Sequence, residues 1–253
     1  MALLAAAFAG APPSACEAAE PVAQGRVARV IDGDTVALDG GREVRLVGIQ
    51  APKLPLGRAG FEAWPLARES QRTLESLALG RQVALAYGGR NMDRHGRLLA
   101  HLTDEGGSWL QGEMLRRGLA RVYTFADNRA RAAEMLTLEG AARAARRGIW
   151  ADPYYAVRAA ANAPGPVGTF QLVEGTVLAA GRAGGRVYLN FGRDWRSDFT
   201  VAIGPRDLAR FGGAEAARSA YDKKRVRARG WIERRNGPMI VATHPEQIEV
   251  LGP

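Results

Sequence analysis

Residues 44–53, VRLVGIQAPK, read as a half-buried β-strand that ends at Pro52, with Gln50 and Lys53 on either side of the proline. At neutral pH the Lys53 side chain is an ammonium group, which has no lone pair with which to accept a proton. In this state it cannot act as a general base, but it is well suited to holding a phosphate group. The strand end therefore indicates anion binding rather than proton transfer.

A pair of aspartates precedes that strand. Asp32-Gly33 separates the strand-like segments GRVARVI and TVALDG, and Asp-Gly is a favoured dipeptide for a tight hairpin turn. The turn accounts for Asp32 without any functional role, but it does not account for a second aspartate at Asp34. Because carboxylate oxygens are preferred ligands of hard cations such as Ca²⁺, we predict that Asp34 is a site residue.

The whole chain carries an excess of positive charge. Its 253 residues include 35 Lys and Arg against 26 Asp and Glu, which gives a formal net charge of +9. Such a chain attracts polyanions, and nucleic acid is the first partner to consider. The composition is that of a globular protein, and the single cysteine, Cys16, excludes an internal disulfide.

The chain begins with an apolar stretch, LLAAAFAGAPPSA at residues 3–15, which is too short to span a bilayer. It is typical of the apolar part of a secretory signal, so we predict a signal-like segment at residues 1–20 and a periplasmic or secreted protein. Attachment of a lipid to Cys16 is an alternative use of the same segment. No other long apolar run follows, and we predict no transmembrane segment.

The rest of the chain divides into two parts. Residues 156–168, AVRAAANAPGPVG, lack periodicity and large apolar side chains and are predicted to form a linker. Residues 25–155 contain five strand-like segments and three helical ones. Residues 169–253 contain five strands with a helix between the third and the fourth, which is the order of a small OB-fold barrel.

Five motifs of the first part occur in a recognisable order: VIDGDTVAL, VRLVGIQAPK, DRHGR, GLARVYTF and RGIW. In these motifs and their order, this part resembles the staphylococcal-type thermonucleases over roughly residues 25–150. The resemblance implies an OB-like barrel decorated with helices, and an activity that cleaves DNA and RNA phosphodiesters with a calcium ion. With the second part, the predicted fold is an α+β protein of two barrels, a thermonuclease-like OB barrel and a smaller OB-fold barrel.

The resemblance also implies roles for single residues. Asp34 matches a calcium ligand, and Arg45 and Arg97 match the two arginines that grip the scissile phosphate. Tyr123 and Phe125 match aromatic positions beside the bound nucleotide. The tryptophan of the last motif, at position 150, matches a structural residue.

Two positions depart from the thermonuclease pattern. Gln50 stands where a second calcium carboxylate is expected, and Lys53 stands where the glutamate treated as general base is expected. An amide oxygen can still bind calcium, so Gln50 stays a doubtful ligand. The ammonium of Lys53 repels a metal ion, and loss of a general base costs about 10²–10⁴ in rate. We therefore expect a weakened calcium site.

The second part resembles the OB-folds of helicases and tRNA-synthetase accessory domains. Arg225, Arg227, Arg229 and Trp231 have the same parity on one predicted strand, so they share a face. Arginines interleaved with an aromatic ring can follow a nucleic-acid backbone and stack a base, and single strands are favoured. The alternative is an ordinary solvated face of a barrel strand.

Three functions are compatible with these features. The first is an exported nucleic-acid-binding protein on a thermonuclease fold, with nuclease activity weakened or absent. The second is an active calcium-dependent nuclease whose base is supplied elsewhere, for example by Glu62 or Glu69 on the helix after the altered strand. The third is an envelope scaffold or protein-binding module that has kept the barrels and no polynucleotide.

Overall fold

The computed structural model describes residues 23–161 and 165–252. The predicted signal-like segment with Cys16 and residues 162–164 of the predicted linker lie outside the described residues. Within the described ranges, no helix combines the length and apolar character needed to cross a bilayer.

The first half of the chain forms a closed five-stranded barrel that carries three helices. The barrel order is β1-β2-β3-β6-β5, and β3 and β6 run parallel. A separate two-stranded ribbon, β4 with β7, lies outside the barrel. The elements are β1 (Ala23–Asp32), β2 (Thr35–Leu38), β3 (Glu43–Leu46), β4 (Gly48–Gln50), α1 (Ala67–Ala78), β5 (Gln82–Ala86), β6 (Leu98–Asp104), α2 (Leu110–Arg116), β7 (Arg121–Tyr123) and α3 (Ala132–Ala144), followed by 3₁₀ turns at Gly148–Ala151 and Pro153–Tyr155.

The predicted α+β barrel fold is confirmed, but the strand predicted from residue 44 to Pro52 is broken in two. Gly48 has φ of +84°, in the left-handed region that favours glycine, and a Cβ there would lie 2.5 Å from the Met135 side chain. The chain turns at this point, leaves the barrel and pairs with β7. The turn carries Gln50 and Lys53 out of the barrel wall and brings Lys53 to the Asp32–Asp34 turn.

The hairpin turn at Gly33 packs closely against two other elements. A Cβ on Gly33 would lie 1.9 Å from the Ser70 hydroxyl of α1 and 2.7 Å from the Cβ of Ala51. Glycine is therefore required here by the lack of space rather than by a positive φ. This packing fixes the two aspartates of the turn against the strand end that carries Lys53.

The second half is built as a half-barrel from two sheets rather than as a closed barrel. One sheet has the order β10-β11-β12-β15-β14, with β12 and β15 parallel, and the other has the order β16-β13-β9-β8. The elements are β8 (Arg158–Ala159), β9 (Phe170–Thr176), β10 (Ala179–Ala183), β11 (Arg186–Asn190), β12 (Thr200–Ile203), a 3₁₀ turn (Leu208–Phe211), α4 (Ala214–Tyr221), β13 (Arg225–Trp231), β14 (Glu233–Arg235), β15 (Gly237–Ala242), a 3₁₀ turn (Pro245–Gln247) and β16 (Ile248–Val250).

Polar contacts join the two halves. Arg229 of β13 is buried and donates to both carboxylate oxygens of Glu139 on α3, at 3.1 and 2.7 Å. Thr124 and His244 are linked at 2.8 Å between the Thr Oγ1 and the His Nε2. Arg129 donates to Glu246 at 2.6–3.0 Å. The halves are therefore fixed together by specific buried and half-buried groups.

His244 makes this junction sensitive to acid. Burial lowers the pKa of His244 from 6.5 to about 4. In the unfolded chain this imidazole is protonated below about pH 6.5, whereas in the folded protein it stays neutral down to about pH 4. The free energy of unfolding therefore falls as the pH drops from 6.5 to about 4. We expect the variant His244→Gln to lose less stability than the native protein over the same window, measured by urea unfolding.

The matched control for this measurement is His95→Gln, because His95 is exposed. Its pH profile is expected to follow that of the native protein. Identical slopes for the native protein and His244→Gln would contradict the proposed origin of the acid sensitivity.

Candidate functional site

The site begins with the two carboxylates of the β1–β2 turn. Asp34 is fully buried, and its Oδ2 accepts a 2.6 Å hydrogen bond from the backbone N–H of Ala51. Burial alone would raise the pKa of Asp34, but Arg45 and Lys53 outweigh it and hold the pKa well below its usual range. The pKa of Asp32 is raised, by burial first and by the charge of Asp34 second. Of the two aspartates, Asp34 is therefore the one that stays ionised to lower pH.

Lys53 places a cation between these carboxylates. Its Nζ lies 2.7 and 2.8 Å from the two oxygens of Asp34 and 3.3 Å from Oδ2 of Asp32. Arg45 contacts Asp34 from a second direction, and its Nη2 donates to the carbonyl of Ile49 at 2.9 Å. Both oxygens of Asp34 are therefore already paired with cations that belong to the protein.

Gln50 is turned away from the carboxylates. It is buried, and its Oε1 accepts two hydrogen bonds from Arg121, from Nε at 2.9 Å and from Nη2 at 2.7 Å. Arg121 is itself buried, which lowers its pKa to about 10, and its guanidinium lies 4.6 Å from the centre of the Phe170 ring in the second half. The amide oxygen that was considered a doubtful metal ligand is therefore engaged elsewhere.

A cavity of about 740 Å³ opens above Arg45 and Lys53. Arg97 lies on the same cavity, and its guanidinium pairs with Asp93 at 2.7–2.8 Å. The structure thus brings the three predicted phosphate-binding cations to one cleft. The charged side chains that line the cleft are Arg45, Lys53, Arg58, Arg90, Arg94 and Arg97 against Asp32, Asp93 and Asp127.

Comparison with known proteins agrees with this geometry. The family model for staphylococcal nuclease homologues matches residues 43–152. A protein of Escherichia coli O157:H7 with the name "Uncharacterized endonuclease" is 33% identical over 131 residues, which cover 51% of this chain and 77% of the relative. The chain belongs to the staphylococcal nuclease family.

Two other relatives are similar to part of this chain. Endonuclease YhcR of Bacillus subtilis (strain 168) is 30% identical over 150 residues, which cover 55% of this chain and 12% of that protein. The thermonuclease of Staphylococcus hyicus is 27% identical over 135 residues, or 50% of this chain and 75% of that protein. The family match ends at residue 152, so the second half lies outside it, and its likeness to helicase-type OB-folds stays a prediction.

The staphylococcal nuclease family is typically calcium-dependent, and the residues of this chain do not fit that ion. Calcium takes about six to eight oxygen ligands at roughly 2.3–2.6 Å. Here the oxygens of Asp34 are paired with Lys53 and Arg45, and the oxygen of Gln50 is paired with Arg121. Within the described residues, no three His, Cys, Asp or Glu side chains are grouped so that they could hold a metal.

The aromatic residues of this nuclease-family cleft include Trp231, which belongs to β13 of the second half. Tyr123 and Phe125 pack edge to face at 4.9 Å, and 48% of Phe125 is exposed. Trp231 of the second half joins them, because its Nε1 donates to the Tyr123 hydroxyl at 2.9 Å. Parity along one strand could not reveal that this strand ends at the cleft of the other half.

The predicted basic stripe on β13 is corrected by the structure. Arg229 is 1% exposed and enclosed by Glu139 and Glu249, so it cannot reach a nucleic acid. Arg227 is half-buried and pairs with Glu174 and Glu249. These arginines do share a face, but α3 of the nuclease-family half covers it at Arg229, and carboxylates of the neighbouring strands engage Arg227. A role for the exposed Arg225 stays a prediction.

The alternative general bases lie away from the altered position. Glu69 is on α1 and lines a shallow surface cavity with Trp64. Glu62 is exposed in the loop before that helix. Neither side chain is among the residues that line the nuclease-family cleft.

Proposed function

We propose that this protein binds nucleic acid through a metal-independent phosphate site, and that its calcium-dependent hydrolysis is weak or absent. The observation that carries the proposal is the position of the Lys53 ammonium, within 2.8 Å of both Asp34 oxygens. A cation fixed to the chain stands where the family's metal is expected to be held by carboxylates. We favour single strands as the ligand, because exposed rings beside the cleft accept unpaired bases.

The charges of the cleft support phosphate binding. Six cationic side chains line it against three carboxylates, and the buried Asp34 behind Arg45 and Lys53 is a fourth, which leaves a surplus of two positive charges. Asp93 and Asp34 each neutralise part of this charge through their ion pairs, and Arg58, Arg90 and Arg94 remain exposed. Exposed cations attract the polymer, and the partly buried Arg45 and Lys53 hold one phosphate in a drier environment.

Hydrolysis lacks a proton acceptor at the expected place. A nucleophilic water has to lose a proton as it attacks phosphorus, and a protonated Lys53 has no lone pair to receive it. Loss of a positioned base costs about 10²–10⁴ in rate. Arg45 and Arg97 can still stabilise charge on the phosphate, so what remains favours binding over turnover.

An active nuclease is the second candidate function. Arg45 and Arg97 lie on one cleft, and the E. coli and B. subtilis relatives carry the name endonuclease. On this hypothesis a base comes from another element, and rapid calcium-dependent cleavage of DNA or RNA by the native chain would support it.

Binding of a labelled single-stranded oligonucleotide tests the proposal. We expect the same Kd with calcium and with chelator at equal ionic strength, and an affinity that falls steeply with added salt as counterions are released. Arg97→Ala should weaken binding by about tenfold, because it removes a charge-assisted phosphate contact. Arg42→Ala is the matched control, since Arg42 is exposed on the β2–β3 hairpin, and it should bind as the native protein does.

Two results would overturn this reading. One is binding that disappears when calcium is chelated. The other is rapid cleavage of the oligonucleotide by the native protein in calcium, which would favour the active nuclease instead.

A further inference from the structure

A second cavity lies beside the cleft, between the two halves of the molecule. Its volume is about 180 Å³. Three residues, Tyr123, Phe125 and Trp231, line both this cavity and the larger cleft. They therefore form a wall with the cationic cleft on one side and the smaller cavity on the other, and we call this smaller cavity the junction pocket.

The aromatic wall is continuous across the boundary between the halves. Tyr123 packs edge to face against Phe125 and against Phe170, both at 4.9 Å between ring centres. Phe170 in turn lies 6.2 Å from Trp231, which also donates to the Tyr123 hydroxyl. Phe125 and Trp231 remain 48% and 44% exposed, so each keeps a free ring surface.

The charge of the junction pocket differs from that of the cleft. Arg229 lines it, but its charge is matched by Glu139 and Glu249. Glu233 adds an exposed carboxylate. A phosphate is disfavoured beside this carboxylate, whereas an uncharged ring is not.

The polar groups of the junction pocket are largely engaged with one another. Gln247 accepts from the backbone N–H of Thr243 at 2.7 Å and donates to the carbonyl of Arg229 at 3.1 Å. Thr124 is paired with His244. Few donors or acceptors are left to form hydrogen bonds with the edge of a base. Recognition in this pocket therefore depends on ring stacking, which is available to every base.

We propose that Trp231 stacks a base of the polymer whose phosphate is held by Arg45 and Lys53, and that the junction pocket receives this base. The inference rests on the proposed function and adds the substrate class: a strand with an unpaired base next to the gripped phosphate, of any sequence. A duplex cannot supply that base without breaking a pair. The second half thereby completes the binding site of the nuclease-family half instead of binding a separate ligand.

Two oligonucleotides with the same phosphates separate stacking from charge. One is an oligothymidylate of about ten residues, within the usual site size, and the other is an abasic strand of equal length. Trp231→Ala should weaken binding of the oligothymidylate by about tenfold, the usual effect of removing one stacking ring. The same variant should bind the abasic strand as tightly as the native protein does.

Matched variants guard against a merely structural effect. Trp231→Phe keeps a ring but loses the hydrogen bond to Tyr123, and it should retain oligothymidylate binding within about threefold. Trp195→Ala removes another half-exposed tryptophan of the second half, away from both cavities, and should change nothing. Blunt duplex DNA should bind the native protein less tightly than the oligothymidylate.

The outcomes separate failure of the proposed function from failure of the stacking inference. If the native protein binds neither strand, the proposed function itself fails. If it binds both, the stacking inference alone is overturned by any of three results: no effect of Trp231→Ala, an equal loss on the abasic strand, or an equal loss with Trp231→Phe.

Discussion

Replacing Gln50 by aspartate and Lys53 by glutamate is expected to produce calcium-dependent hydrolysis, with a rate gain of about 10² or more over the native chain. The change removes the ammonium from Asp34 and returns two carboxylates to the family positions. Arg45 and Arg97 are already on the cleft and need no change. The gain corresponds to the usual contribution of a positioned base.

The structure adds an obstacle to this conversion that the sequence did not suggest. Arg121 donates two hydrogen bonds to Gln50, and it would attract an aspartate at that position even more strongly. Lys53→Glu alone should still gain less than the double variant, because the metal would lack one carboxylate. In the double variant, the additional change Arg121→Gln should tighten calcium binding further.

Cleavage of a labelled oligonucleotide in calcium and in chelator measures the gain. Lys53→Met is the matched control, since it removes the ammonium without supplying a base and should leave the rate low. Calcium binding by calorimetry gives a second readout that does not depend on turnover. Native protein that cleaves briskly, and loses this activity when Glu62 or Glu69 is replaced, would show that our reading of Lys53 is wrong.

Arg229→Met is expected to destabilise the folded protein by about 3 kcal/mol, the lower end of the usual cost of removing one partner of a buried ion pair, because Arg143 still pairs with Glu139. Glu139 is fully buried, and burial would raise its pKa, but Arg229 and then Arg143 hold the pKa below its usual value. Without Arg229, the carboxylate keeps Arg143 and the N–H of Val122 but loses its only fully buried cation among the described residues.

Urea unfolding measures this loss, and the same strand offers the control. Arg225 is exposed and lies 3.3 Å from Glu174, so Arg225→Met should cost no more than about 1 kcal/mol, as surface pairs do. Combining Arg229→Met with Glu139→Gln should recover part of the stability, because the second change removes the buried charge that has lost its main partner. Equal effects of the two methionine variants would contradict a buried ion pair at the junction.

The barrel was predictable because its signals are local. Asp-Gly at the first turn, alternating apolar residues and the order of five motifs specify strands, turns and family without long-range information. The placement of Lys53 opposite Asp34 followed from the same motifs. The break at Gly48 was missed because a strand pattern of apolar residues continues through it, and only the neighbouring Met135 explains why glycine is needed.

The junction between the halves was not predictable in the same way. Arg229 has the parity of a surface residue and the chemistry of a nucleic-acid contact, and its partner Glu139 lies 90 positions earlier in the chain. Nothing near either residue marks the other. For the same reason Gln50 gave no sign that Arg121, 71 positions away, would occupy its amide oxygen.

The buried Glu139 also sets an order of events during synthesis. The chain leaves the ribosome N-terminus first, and α3 emerges about 90 residues before Arg229. At a usual rate of about 5–20 residues per second, Arg229 is synthesised several seconds after Glu139. Until Arg229 is available, we expect α3 to stay hydrated and loosely packed against the nascent barrel. Strand β13, which is translated later, then completes the packing of the nuclease-family half.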